Sequence, residues 1–109
     1  MASITNAQNS IERKNFYQKN NLGCFNNVLK YCISNKTKLI HISSTSIYGD
    51  QSKIVNEDSK FLKPQSPYAE IKLKEEKILK KYSKKINFIS LRFGTITGVS
   101  PGMRFHTAV

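Results

Sequence analysis

Acidic residues are scarce in this chain: 7 Asp and Glu stand against 18 Lys and Arg, a net charge of +11 over 109 residues. That balance excludes an acidic, solvating chain and raises the question of a phosphate-bearing partner. Cysteine is equally sparse. Cys24 and Cys32 lie eight apart, without C-x-x-C spacing or a histidine cluster, so the pattern suggests neither a zinc site nor a redox motif, and buried thiols in a reducing compartment are expected. No apolar run approaches the roughly 20 residues that span a bilayer. Met1 to Ser10 is polar, with neither the apolar core of a signal peptide nor an arginine-rich amphipathic pattern, so a cytoplasmic protein is the expectation. The five glycines form no G-x-x-G-x-x-G loop, the element that cradles a phosphate at a helix N-terminus. Internal repeats and low-complexity linkers are missing too, which leaves residues 1–109 as at most one small domain with a modest core.

What is present alternates between helical and strand patterns. Phe16, Asn20, Gly23/Cys24, Asn27/Val28 and Tyr31/Cys32 recur at helical spacing and predict a helix over about Asn15 to Ile33. Leu39 to Ile42 reads as a short buried strand, with His41 as a satisfied structural residue within it. Asp50 to Gln65 is a polar loop, and Ser66-Pro67 opens a second helix running to about Lys84. Its predicted inward stripe is Tyr68, Ile71, Lys72, Ile78, Leu79 and Tyr82, interrupted at Glu75. Ile86, Phe88, Ile89 and Leu91 predict a second strand, parallel to the first across the intervening helix. The lysines are densest between Lys72 and Lys85, where they alternate with Glu75 and Glu76. This reads as the wet face of an amphipathic helix rather than a nucleic-acid surface, so no specific nucleic-acid partner is expected.

The chemistry gathers between Ser43 and Lys72. Tyr68 and Lys72 are four apart and, on a helix, share a face one turn from each other. A phenol ionises near ~10 and is a poor base at neutral pH, but a neighbouring ammonium favours the phenolate and brings it toward working range. Ser43, Ser44 and Thr45 close the first strand, so their hydroxyls emerge where open α/β sheets place ligands. Successive residues of a strand alternate in direction, so at most two of these hydroxyls can face Tyr68.

The order of these pieces is an apolar strand, Ser43-Ser44-Thr45, Tyr48-Gly49, a polar loop, Ser66-Pro67-Tyr68, Lys72, a second apolar strand and Leu91-Arg92-Phe93-Gly94. It resembles the extended short-chain dehydrogenase/reductases, specifically the NAD-dependent nucleotide-sugar epimerase/dehydratase family typified by UDP-glucose 4-epimerase. The resemblance implies a partial Rossmann-like, doubly wound parallel sheet: the central to C-terminal part, without the glycine-rich first βαβ unit. It implies an internal piece of an epimerase-like enzyme, inactive by itself, with NAD as the family cofactor, a nucleotide-sugar substrate and frequent homodimers. Ala2-Ser3 and Ala7 are similar to the tail of the family's fourth-strand segment.

Carried over by the resemblance, Tyr68 is the catalytic base. Lys72 tunes it and binds the nicotinamide ribose, and Ser44, four residues before Tyr48, orients the reacting oxygen. Cofactor contacts fall on Ala2, Asn20, Ile42, Ser43, Tyr68, Lys72, Phe93 and Ile96, and substrate contacts on Ser44, Thr45 and Thr95. Asn20 belongs to an N-x-x-G pattern with Gly23, which equally suits a small-residue helix contact. Thr95 stands where many epimerases carry a substrate-binding asparagine, so sugar specificity departs from the usual. Family dehydratases place an Asp-Glu pair after their catalytic threonine, where this chain has Thr45 and Ser46, and epimerase or reductase chemistry is therefore favoured over dehydration. The competing readings are a non-catalytic remnant or interaction module and a small basic nucleic-acid-binding protein.

Overall fold

The computed structural model describes residues 13–50 and 54–94. They form helix α1 (Lys14–Asn35), strand β1 (Leu39–Ser44), a short 3-10 helix (Thr45–Tyr48), helix α2 (Pro67–Lys81) and strand β2 (Phe88–Phe93). The two strands pair in parallel, with Leu39 opposite Phe88 and Ser44 opposite Phe93. This is the expected pairing, and the strand bounds agree within a residue or two. A parallel pair needs a crossover, which α2 supplies.

Local chemistry explains the boundaries. The Ser66 hydroxyl accepts from the Ala69 amide and Pro67 takes the first helical position, where its missing N–H costs nothing. Helix α1 ends at Lys36, whose backbone is left-handed (φ 52). Gly49 follows the 3-10 helix at φ +65, and a Cβ there would collide with the Lys63 carbonyl. Only glycine satisfies both demands, which explains the Tyr48-Gly49 pair.

Two packing expectations are corrected. The buried stripe of α1 is Tyr17, Asn21, Phe25, Leu29 and Cys32, one position on from most of the predicted set, and Phe16, Val28 and Tyr31 are exposed. In α2 the buried residues are Ala69, Ile71, Lys72, Glu75, Glu76 and Leu79. The lysines at 74, 77, 80, 81, 84 and 85 are indeed solvated, but Glu75 and Glu76 are 2% and 6% exposed, not part of a wet face. Phe25, Leu29, Cys32, Leu79 and Ile86 make the apolar core between the helices and one face of the sheet.

The strand pair is two-sided. His41 and Ser43 of β1 are buried toward the helices, aligned with Ser90 and Arg92 of β2. Ile40, Ile42 and Ser44 alternate with them, aligned with Ile89, Leu91 and Phe93 on the opposite face. Beneath α2, then, the sheet is polar where a buried parallel strand usually carries Val, Ile or Leu.

Candidate active site

Tyr68 and Lys72 lie on the first two turns of α2, and the Lys72 ammonium sits 6.0 Å from the centre of the Tyr68 ring. Lys72 is buried and reaches back to the end of β1, where Nζ donates to the Ile42 carbonyl at 3.0 Å. It also donates to Glu75 Oε2 at 3.2 Å. An ammonium has three protons, so one remains for a further acceptor. Among the described residues no hydrogen bond engages the Tyr68 hydroxyl.

The direction of the Tyr68 shift corrects the expectation from spacing. Burial, and then the nearby Glu75 carboxylate, push the phenol above its ordinary 10.0. Lys72 stands near enough to tune Tyr68, but its charge is shared with an anion one turn further along the helix. In this state Tyr68 is a protonated phenol, a proton donor.

Each strand-end hydroxyl goes its own way. Ser43 faces the helix and donates to Glu76 Oε1 at 2.5 Å, so its hydroxyl is committed to the interior. Ser44 caps the 3-10 helix, accepting from the Ser46 amide at 3.2 Å and the Ser46 hydroxyl at 2.9 Å. Both contacts use its lone pairs, leaving its own O–H to donate. Thr45 donates to the Phe93 carbonyl at 3.3 Å, tying the ends of β1 and β2 together. The structure thus brings Lys72, Tyr68 and Ile42 together and sets Ser44 and Thr45 at the same strand end, whereas Ser43 turns away. Phe93 is partly exposed on the sheet face opposite the helices. The Asn20 side chain is half-buried and donates to Asn21 Oδ1 at 3.1 Å, and a Cβ at Gly23 would meet nothing within 4 Å among the described residues, so no close contact there requires a glycine. Ala2, Thr95 and Ile96 lie outside the described residues.

Beneath the site runs a polar network that the sequence reading missed. Arg92 grips Glu76 through both ends of its guanidinium, Nε to Oε1 at 3.0 Å and Nη2 to Oε2 at 2.7 Å. Its Nη1 donates to the Tyr48 hydroxyl at 2.9 Å and to the Glu57 carbonyl at 3.2 Å. Burial pulls the Glu76 carboxyl up, but hydrogen bonds from Arg92 and Ser43, with the Arg92 charge, outweigh it and hold the group below its usual range. The same pairing holds the Arg92 guanidinium still more firmly protonated. Alongside, His41 bridges Ser90 at 2.8 Å and Glu75 at 2.7 Å. The sequence carries part of the signal: Lys72, Glu75 and Glu76 share one helical face and His41, Ser43, Ser90 and Arg92 follow the strand period, but neither pattern names the partners.

A cleft of about 470 Å³ opens between the loop at Glu57–Leu62 and α2, with Arg92 and Glu76 among its walls. Neither Tyr68, Lys72 nor Ser44 lines it, so it is not the space in which their chemistry would occur. Among the described residues no group of three His, Cys, Asp or Glu could hold a metal ion, and no helix is long and apolar enough to cross a membrane.

Comparison with known proteins agrees with this arrangement of strand end and helix. The model of the NAD dependent epimerase/dehydratase family matches residues 1–109, the whole chain. The chain belongs to that family. Among solved structures it is similar to a UDP-N-acetylglucosamine 4-epimerase from Methanobrevibacter ruminantium, in complex with UDP-N-acetylmuramic acid. That match has 26% identity and a TM-score of 0.80, and covers 95% of this chain and 36% of the other. A UDP-glucose 4-epimerase from Brucella ovis in complex with NAD matches at 27% identity and a TM-score of 0.76, over 84% of this chain and 29% of the other. A dTDP-glucose 4,6-dehydratase from Streptomyces venezuelae, at 20% identity and a TM-score of 0.75 over 86% of this chain and 31% of the other, shares the fold. No curated protein matches by sequence. The α/β arrangement is therefore part of a Rossmann-like fold, and the chain spans about a third of the length of the structures it matches.

Proposed function

We propose that this chain is the catalytic segment of an NAD-dependent nucleotide-sugar epimerase, with Tyr68 as proton acceptor and donor, Lys72 as its charged partner and Ser44 as the group that orients the reacting oxygen. The observation that carries the reading is the Lys72 ammonium 6.0 Å from the centre of the Tyr68 ring, anchored on the Ile42 carbonyl with one proton left to give, while among the described residues no hydrogen bond engages the Tyr68 hydroxyl. The family match and the 4-epimerase neighbours support the substrate class.

The residues present fit the nicotinamide end of the cofactor. Lys72 has a spare donor for a ribose hydroxyl, and Ile42 and Phe93 lie on the sheet face away from the helices. NAD held there would supply a reversible hydride acceptor for a sugar carbon. In its phenolate form Tyr68 Oη would take the sugar hydroxyl proton during oxidation and, as the phenol, give it back on reduction, while the Ser44 O–H would hold the sugar oxygen in line. The chain's glycines form no phosphate-cradling loop, so the chain by itself is expected to show no NAD-dependent turnover.

A non-catalytic role is favoured by two observations: Lys72 shares its charge with Glu75, and Tyr68 is pushed up by burial and by Glu75 rather than down. A chimera separates the two readings. With this chain replacing the matching segment of the Brucella ovis enzyme, the catalytic reading expects interconversion of UDP-glucose and UDP-galactose. A folded, NAD-binding and inactive chimera would support the non-catalytic reading.

A further inference from the structure

We propose that Glu75 is a positioning residue for Lys72, itself held in place by a buried His41–Ser90 pair, so that the Lys72 ammonium is set by a four-residue chain crossing both strands and α2. The inference deepens the catalytic reading and rests on it for its functional consequence.

One carboxylate oxygen, Glu75 Oε2, receives both His41 Nε2 at 2.7 Å and Lys72 Nζ at 3.2 Å. All three side chains are nearly dry, with 5%, 3% and 7% of the His41, Glu75 and Lys72 side chains exposed. A buried carboxylate without partners is strongly unfavourable, and so is a buried ammonium. Each therefore confines the other. The geometry also orders the imidazole: Nε2 carries the proton given to Glu75, and Nδ1 meets the Ser90 hydroxyl at 2.8 Å. The Phe25 ring packs edge-on against His41, its centre 5.5 Å away, and limits rotation of the imidazole.

His41 thus touches Glu75, Glu75 touches Lys72, and Lys72 touches the Ile42 carbonyl beside the strand-end hydroxyls. A lysine stem is long and flexible, and without Glu75 the Ile42 carbonyl would be the one acceptor holding it among the described residues. The groups bearing on this carboxylate are His41 from β1, with Ser90 of β2 behind it, and Lys72 and Tyr68 from α2. Burial raises the Tyr68 phenol, and the Glu75 charge facing the same space adds to that shift.

The test is nuclear magnetic resonance of the 109-residue chain labelled with 15N-lysine, which reads the exchange of ammonium protons with water without calling on activity. Solvated lysines exchange too fast to observe, and Lys72 is expected as a protected signal, assigned by its loss in Lys72→Met. Glu75→Gln is expected to speed Lys72 proton exchange roughly tenfold, the scale of one lost charge-assisted hydrogen bond. His41→Phe keeps the ring volume but has no donor, and is expected to speed the same exchange although His41 does not bond Lys72. His41→Gln, which restores a donor, is expected to return it toward the unmodified rate. Exchange of the buried Leu79 amide serves as the reference for global stability. A merely structural His41 would accelerate Leu79 and Lys72 equally, and that result would overturn the proposal. So would unchanged Lys72 exchange in Glu75→Gln, or a wild-type chain with no protected Lys72 signal. Failure of the catalytic reading appears elsewhere, as an inactive chimera with Lys72 exchange still governed by Glu75.

Discussion

Removing the Arg92 guanidinium while keeping its bulk, as in Arg92→Met, strips Glu76 of two hydrogen bonds and its counter-charge and, among the described residues, leaves Ser43 as the donor to it. The Glu76 and Arg92 side chains are 7% and 13% exposed, so water replaces little of what is lost. Breaking such a pair from one side costs about 3–5 kcal/mol, because the remaining charge is buried and unpaired. The bond from Arg92 to the Glu57 carbonyl is exposed and adds less, while the bond to the buried Tyr48 hydroxyl adds to the loss. The expectation is a loss of about 3 kcal/mol, a large share of the 5–15 kcal/mol typical of a domain. In the double variant Arg92→Met/Glu76→Leu no charge is stranded, and the loss is expected to shrink to about 1–2 kcal/mol, mostly from the orphaned Ser43 hydroxyl. Urea unfolding followed by circular dichroism reads both values. The pH dependence adds a check. The Glu76 carboxyl is held low in the folded chain, so its stabilisation is present above about 4.3, its ordinary unfolded value, and is lost as pH falls through the folded one. Wild type and Arg92→Met should therefore converge in acid. A cost below about 1 kcal/mol for the single variant, or a double variant weaker than the single, would refute the account of this pair.

Two further expectations concern backbone and phenol. Gly49→Ala combines a left-handed φ with a collision against the Lys63 carbonyl, so it should destabilise by more than about 1 kcal/mol, read as a lower urea midpoint at unchanged slope. The Tyr68 phenol is raised in the folded chain, so its contribution is complete below about 10 and is lost as pH rises through the folded value. Phenolate absorbance, taken as the difference from Tyr68→Phe, should show Tyr68 titrating above the ordinary phenol value of about 10. Glu75→Gln should bring that titration down.

Much of this architecture was legible because independent signals agreed. Ser66-Pro67 marks a helix start by capping chemistry, and the runs at Leu39–Ile42 and Ile86–Leu91 are short and β-branched, so alternation and parallel pairing followed. The burial phase of α1 was not legible, because Phe16 neighbours Tyr17 and Tyr31 neighbours Cys32. Either phase puts aromatics inward, and packing against Leu79 and Ile86 decides. The interior carboxylates failed for a different reason. Glu75 and Glu76 among so many lysines look like solvated charges, and their burial depends on His41, Ser43 and Arg92, which lie 34, 33 and 16 residues away. Local patterning cannot report partners at that distance. Helical spacing accounts for the Lys72 ammonium lying 6.0 Å from the Tyr68 ring centre, but it says nothing of burial, the larger cause of the raised phenol, or of the Glu75 charge that adds to it.

The central claim is that Tyr68 handles the proton, and it is tested most directly by Tyr68→Phe in the Brucella ovis chimera, with bound NAD and turnover measured on the same preparation. The ring is kept and the hydroxyl removed, so the account predicts NAD retained at the unmodified stoichiometry and epimerisation of UDP-glucose reduced by at least about a hundredfold, the lower range for a lost general acid–base group. Epimerisation by the Phe variant at the unmodified rate would contradict it.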